Sequence, residues 1–166
     1  MKYLLIAFAL LSSVCCRSEN VHQMKPIANY SSWRVYEAME NNQKVCFISS
    51  SPLYSSPKRE DAYLMVYRRP SEKEYNIITV MTGVKFHSKH VPTFGIDNQK
   101  VVSLFAVNDA AWIKDAKMEK QLINKMIDGN IVRTISKSTK GTTLKDTYSL
   151  KGFTKALNAM TEACPE

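Results

Sequence analysis

The stretch Trp33-Arg34-Val35-Tyr36-Glu37-Ala38-Met39-Glu40-Asn41-Asn42-Gln43-Lys44-Val45-Cys46-Phe47-Ile48 decides the fold class. Its first part alternates: Trp33, Val35 and Glu37 point one way, Arg34, Tyr36 and Ala38 the other, which is the period of a strand with one covered face. Asn41-Asn42 is a turn signal, because asparagine tolerates the backbone that tight turns need. Residues 44–48 follow as a second strand, which carries a cysteine.

Outward from that pair the same grammar repeats. Residues 49–57 read as a loop, since Pro52 and Pro57 cannot donate to a ladder. Residues 62–67 and 75–81 are rich in strand formers; the first run stops before Pro70 and the second at Gly83. Residues 94–96 and 101–105 flank Asp97-Asn98, a pair that suits a hairpin turn. Residues 131–135 and 143–148 form a last pair around Lys140-Gly141. Two segments change period. Met118, Leu122, Ile123, Met126 and Ile127 share one face of a helix, with Asp115 as N-cap and Gly129 as terminator. Leu150, Phe153, Leu157, Met160 and Cys164 recur at three and four, which puts Cys164 on the buried stripe of a terminal helix. Gly152 disfavours helix by ~1 kcal/mol relative to Ala, so that helix is expected to start after it. Trp33 and Trp112 are expected as core anchors. Many short strands between turns predict a sandwich or a barrel.

The chain has 166 residues, 45% hydrophobic and 23% charged, enough for one domain with a real core. Residues 1–18 read as a cleaved secretory signal peptide: Lys2, an apolar run from Leu4 to Leu11, then Ser12 and Ser13. That run is too short for a lasting transmembrane anchor, which needs ~20 residues. Acylation of Cys15 or Cys16 is the alternative fate, but the residues before them do not suit it, so no lipid anchor is expected. Residues 19–29 carry little pattern and read as a linker, leaving residues 30–166 as a single domain. Cleavage also removes two of four cysteines. The remaining pair, Cys46 and Cys164, reads as a disulfide in an oxidising compartment; two separate buried thiols are the alternative. Loss of Lys2 and Arg17 lowers the net charge from +8 to +6. The basic residues are scattered along the chain, so no nucleic-acid partner is expected.

No enzyme signature rises above background. His87 and His90 form an H-x-x-H pair, but a metal site needs three or four ligands and no second cluster accompanies them. No Gly-x-Ser-x-Gly elbow or phosphate-cradling Gly-rich loop occurs. Glu60-Asp61 are adjacent, and a strand would send them to opposite faces. Residues 137–142 offer hydroxyls and amides to an anion or simply make a hairpin turn. No catalytic, cofactor-binding or metal residue is assigned, and no cofactor is expected.

Several features, in order, resemble the invasion-associated locus B family of alphaproteobacterial exported proteins. They are residues 33–36, Val45-Cys46-Phe47-Ile48 with Pro52, Arg59, Arg69-Pro70, Ala111-Trp112, residues 138–142, and residues 146–153 with Ala156 and Cys164. The resemblance spans residues 30–164 and is most specific from 146 to 164. The chain departs from it at Gly83-Val84, where members often carry Gly-Tyr. The resemblance implies a mainly β, immunoglobulin-like β-sandwich of short antiparallel strands with two short α-helices, one C-terminal. It also implies a Cys46–Cys164 disulfide, no known catalytic residues, and a periplasmic, cell-surface or secreted location. It points to a non-catalytic protein that contributes to host-cell association through an unknown protein or cell-envelope partner. A periplasmic accessory protein with indirect effects is the alternative.

Overall fold

The computed structural model describes residues 24–99 and 101–166. The expected signal peptide 1–18, with Cys15 and Cys16, and residues 19–23 of the expected linker lie outside the described residues. The chain order is β1 (Lys25–Tyr30), β2 (Trp33–Glu40), β3 (Gln43–Ser50), β4 (Tyr54–Ser56), β5 (Tyr63–Arg69), β6 (Glu74–Met81), β7 (Thr93–Ile96) and β8 (Val102–Ser103). It continues with β9 (Phe105–Val107), β10 (Ala110–Trp112), α1 (Ala116–Asp128), β11 (Ile131–Lys137), β12 (Thr143–Ser149) and α2 (Phe153–Ala163).

These strands build two antiparallel sheets, ordered β1-β2-β3-β5-β6-β10-β9 and β4-β12-β11-β7-β8. The mainly β, two-sheet sandwich with two helices, one of them terminal, follows the reading of the sequence. Asn41 and Asn42 both have positive φ, 50° and 60°, which a tight two-residue hairpin requires at both central positions. Alternation then sorts the side chains. Trp33, Val35, Cys46, Ile48, Leu64 and Val66 face inward, into one buried cluster with Phe94, Ile96, Val132 and Tyr148. The Trp33 indole Nε1 donates to the Ser149 carbonyl at 2.9 Å, so the sheets are tied by a hydrogen bond as well as by packing.

The helices finish covering the large sheet. Asp115 caps α1, its carboxylate accepting from the Met118 N–H at 2.6 Å. Leu122, Ile123 and Met126 of that helix enter the core, while α2 lies against β1, β2 and β3. Helix α2 is fastened along its length. At its start the Phe153 ring meets Trp33 edge-on, centroids 5.0 Å apart. In its last turns Thr161 accepts from the buried Arg68 guanidinium at 3.1 Å. At its end Cys164 is bonded to Cys46, with a Cα–Cα distance of 5.9 Å.

Four segments differ from the sequence reading. Lys25–Tyr30, all but its last residue within the expected linker 19–29, is strand β1; it is an edge strand, mostly exposed and bulged at Pro26/Ala28, so it shows no apolar alternation. Tyr54–Ser56, within the proposed loop, pairs with β12 as a short edge. The run 101–105 is divided between sheets: β8 pairs with β7, β9 pairs with β10, and buried Leu104 is the pivot, its N–H donating to the Pro92 carbonyl at 2.8 Å. The three residues of β10 are too few for a period to register.

Gly152 sets where α2 begins. Its φ is +92°, and a Cβ there would lie 2.0 Å from the Tyr30 carbonyl oxygen. Gly152→Ala therefore incurs both left-handed strain and a backbone clash. It is expected to lower stability by at least about 2 kcal/mol in urea unfolding; a loss below about 0.5 kcal/mol would contradict this account of the close approach.

Candidate functional site

A strand with one covered face should be polar on the other. The outer face of the seven-stranded sheet breaks that rule. In β5, Leu64 and Val66 point into the core while Tyr63, Met65 and Tyr67 point out. Strand register extends the pattern sideways: Tyr36 lies opposite Phe47 and Phe47 opposite Tyr67. In the next row Met65 pairs with Thr79, Thr79 with Trp112 and Trp112 with Phe105. The result is an aromatic groove across the sheet, with a volume of 940 Å³.

Its walls and floor are organised. Tyr36 and Phe47 stack, centroids 4.9 Å apart and planes within 15°. The Arg69 guanidinium sits 4.9 Å over the Tyr67 ring and donates from Nε to Glu40 at 3.0 Å; it also pairs with Glu74 at 3.5 Å. Burial, reinforced by the Glu74 charge, pushes the Tyr67 phenol above its ordinary value. Burial does the same to Tyr63, with Asp109 and Asp61 adding to it. Both phenols are therefore protonated donors at neutral pH. The Thr79 hydroxyl, buried in the floor, has no hydrogen-bond partner.

Trp112 belongs to this groove and is half-buried, so its expected role as a core anchor is corrected. It lies on β10 on the same face as Thr79, pointing away from Ala111, which is the core residue of that strand. Trp33 is fully buried. The sequence reading missed the groove, although the aromatic–apolar alternation of residues 63–67 was a usable signal.

Behind the floor, β10 ends opposite Thr79 and leaves the next amide of β6 without a strand partner. The Glu119 carboxylate of α1 takes that place, accepting from the Ile78 N–H at 2.8 Å. Glu119 is only 7% exposed. Burial raises its pKa to about 7 against the lowering effect of the Ile78 N–H, with Glu74 adding to the rise. A second buried charge joins the sheets. Arg59 grips both carboxylate oxygens of Asp146, at 2.6 and 2.5 Å, and donates to the Thr82 and Pro57 carbonyls. Burial pushes the Asp146 carboxyl up, opposed by hydrogen bonding from Ser55 and by Arg59.

The structure places His87 and His90 in the loop after β6, where His87 Nδ1 accepts from the Lys89 N–H at 3.2 Å. Among the described residues no group of three His, Cys, Asp or Glu side chains could hold a metal ion. Residues 138–142 form the β11–β12 turn, with Ser138 N–H donating to the Thr142 carbonyl at 2.9 Å.

Residues 33–161 match the family described as Invasion associated locus B (IalB) protein, so the chain belongs to that family. Neither the curated proteins nor the solved structures yield a match.

Glu119 generates a pH prediction with a fixed sign. Its folded pKa lies above the unfolded value, so the folded state holds the extra proton and stability falls between pH 4.5 and about 7. Glu119→Gln keeps the acceptor and removes the titration. Urea unfolding at pH 5 and pH 8 should show the wild type losing on the order of 2 kcal/mol more than this variant. Equal losses in both would remove Glu119 as the cause.

Proposed function

We propose that this member of the invasion associated locus B family is a non-catalytic binding protein, exported after removal of residues 1–18. In this reading it contributes to association with a host cell. The observation that carries the proposal is the aromatic groove. A sheet face kept apolar against water costs solubility, and contiguous exposed apolar surface of this kind marks interaction sites. Its lining suits recognition by surface contact. Tyr36, Tyr63, Tyr67 and Trp112 offer rigid rings with polar handles at little entropic cost, the composition of binding hot spots. The acids Glu40 and Glu74 are already engaged by Arg69, which supports a binding role over acid–base chemistry.

The disulfide and the family support export, because disulfides persist in oxidising compartments. No helix among the described residues is long and apolar enough to cross a membrane. The partner in this reading is a protein or a component of the cell envelope.

In a bacterium that enters host cells, deletion of the gene should lower entry and the wild-type gene should restore it. A Tyr67→Ser/Trp112→Ser variant, exported to the same level, should restore at least about fivefold less, the scale of losing about 1 kcal/mol of binding. Full restoration by that variant would remove the groove from the function. Protease treatment of intact cells should digest the protein; its survival would favour a periplasmic role.

A further inference from the structure

The other outer face of the sandwich has a different chemistry. Residues 84–96 and 129–145 together hold Lys85, Lys89, Arg133, Lys137, Lys140 and Lys145, and no Asp or Glu. In the sequence these two segments lie far apart. Strand pairing makes them one surface: β7 pairs with β11, Phe86 bridges to Ser138, and the Thr139 N–H donates to the Lys85 carbonyl at 3.0 Å.

Alternation aims the charges outward. In β11, Val132, Thr134 and Ser136 are buried, while Arg133 and Ile135 are exposed and Lys137 is half-exposed. Exposed Lys145 lies opposite Ile135, and Thr147 and Thr143 lie opposite Arg133 and Lys137. Arg133 and Lys137 are four residues apart on one strand, about 13 Å at the usual rise. None of the six cations joins a salt bridge among the described residues. The acids that border the patch are occupied: the Asp97 carboxylate accepts from the Asn130 and Ile131 N–H groups, and Asp146 is buried with Arg59.

We infer that the outer face of the five-stranded sheet is a docking surface for an anionic polysaccharide. Charge complementarity carries the choice: a row of cations without a salt bridge among the described residues, Arg133 donating one N–H to the Asp97 carbonyl at 2.8 Å, is interleaved with threonine hydroxyls and matches a hydrated chain of carboxylate or sulfate groups. A membrane surface fits less well, because insertion uses an apolar face and Ile135 is the one exposed aliphatic side chain in the row of Arg133, Lys137 and Lys145. Single-stranded nucleic acid is held by successive stacking aromatics, and this face exposes one in the row, Tyr54 at the β4 edge opposite Thr147; duplex DNA is entered by a helix or ribbon, which a broad sheet face is not. The inference is independent of the aromatic groove, which lies on the opposite face of the sandwich.

The test measures binding of the exported, disulfide-bonded protein to heparin, to phosphatidylserine-containing vesicles and to duplex DNA at about 0.15 M salt. Heparin should bind tightest. Arg133→Ala/Lys137→Ala/Lys145→Ala should weaken it at least about tenfold, whereas Lys117→Ala/Lys120→Ala/Lys125→Ala on α1 should change it less than about twofold. Lys137→Arg/Lys145→Arg should retain binding, and Lys137→Gln/Lys145→Gln provides a milder loss should the triple variant fold poorly. Equal loss in the two triple variants would reduce the effect to net charge and overturn the inference. So would tighter binding to vesicles or DNA, or no heparin binding by the wild type.

Discussion

The bond between Cys46 and Cys164 is the constraint on which the rest of the structure depends. Cys46 lies within β3, inside the large sheet, and Cys164 follows the last helix, 118 residues later. In the chain-entropy model a loop of that length contributes about 4–5 kcal/mol by restricting the unfolded chain. The net stability of a domain is typically about 5–15 kcal/mol, so one bond is a large share of it. Its position matters as much as its size. It fixes the far end of α2 over β1, β2 and β3, while the close approach of Gly152 to Tyr30 fixes the near end. Between them Phe153 packs on Trp33 and Arg68 holds Thr161.

With the inner face of the seven-stranded sheet sealed by α2, α1 and the second sheet, the outer faces are relieved of any part in the core. They have diverged in character. One is aromatic, with Glu40 and Glu74 held by Arg69; the other carries Arg133, Lys137 and Lys145 on segments free of acids. Arg59 and Asp146 keep the sheets in register from inside, a buried pair whose rupture would strand a charge.

Much of the fold was legible because local chemistry and tertiary structure agree here. The Asn41-Asn42 turn, the Asp115 cap, the Gly152 boundary and seven strand segments all follow from short-range rules. Strand β1 was hidden because an exposed edge has no face to alternate about, and β10 because three residues carry no period. The groove was hidden for another reason. Alternation identifies the buried face, and Tyr63, Met65 and Tyr67 on the second face read simply as strand formers. Trp112 was misassigned by the same logic, since tryptophan serves cores and interfaces equally well. Glu119 shares the helix stripe of Leu122, Ile123 and Met126, but its partner is not local: only the early end of β10 frees the Ile78 N–H that it accepts from. The basic face was invisible as a cluster because Lys85, Arg133 and Lys145 meet through strand pairing across sixty residues of chain.

The claim that α2 is clasped to the sheet by Cys46–Cys164 is tested most directly by hydrogen exchange, read residue by residue before and after reduction of the bond. The account predicts that the amides of Phe153–Ala163 lose protection first on reduction, ahead of β3 and β5, as a locally opening unit. Undiminished protection across α2 in the reduced protein would contradict it.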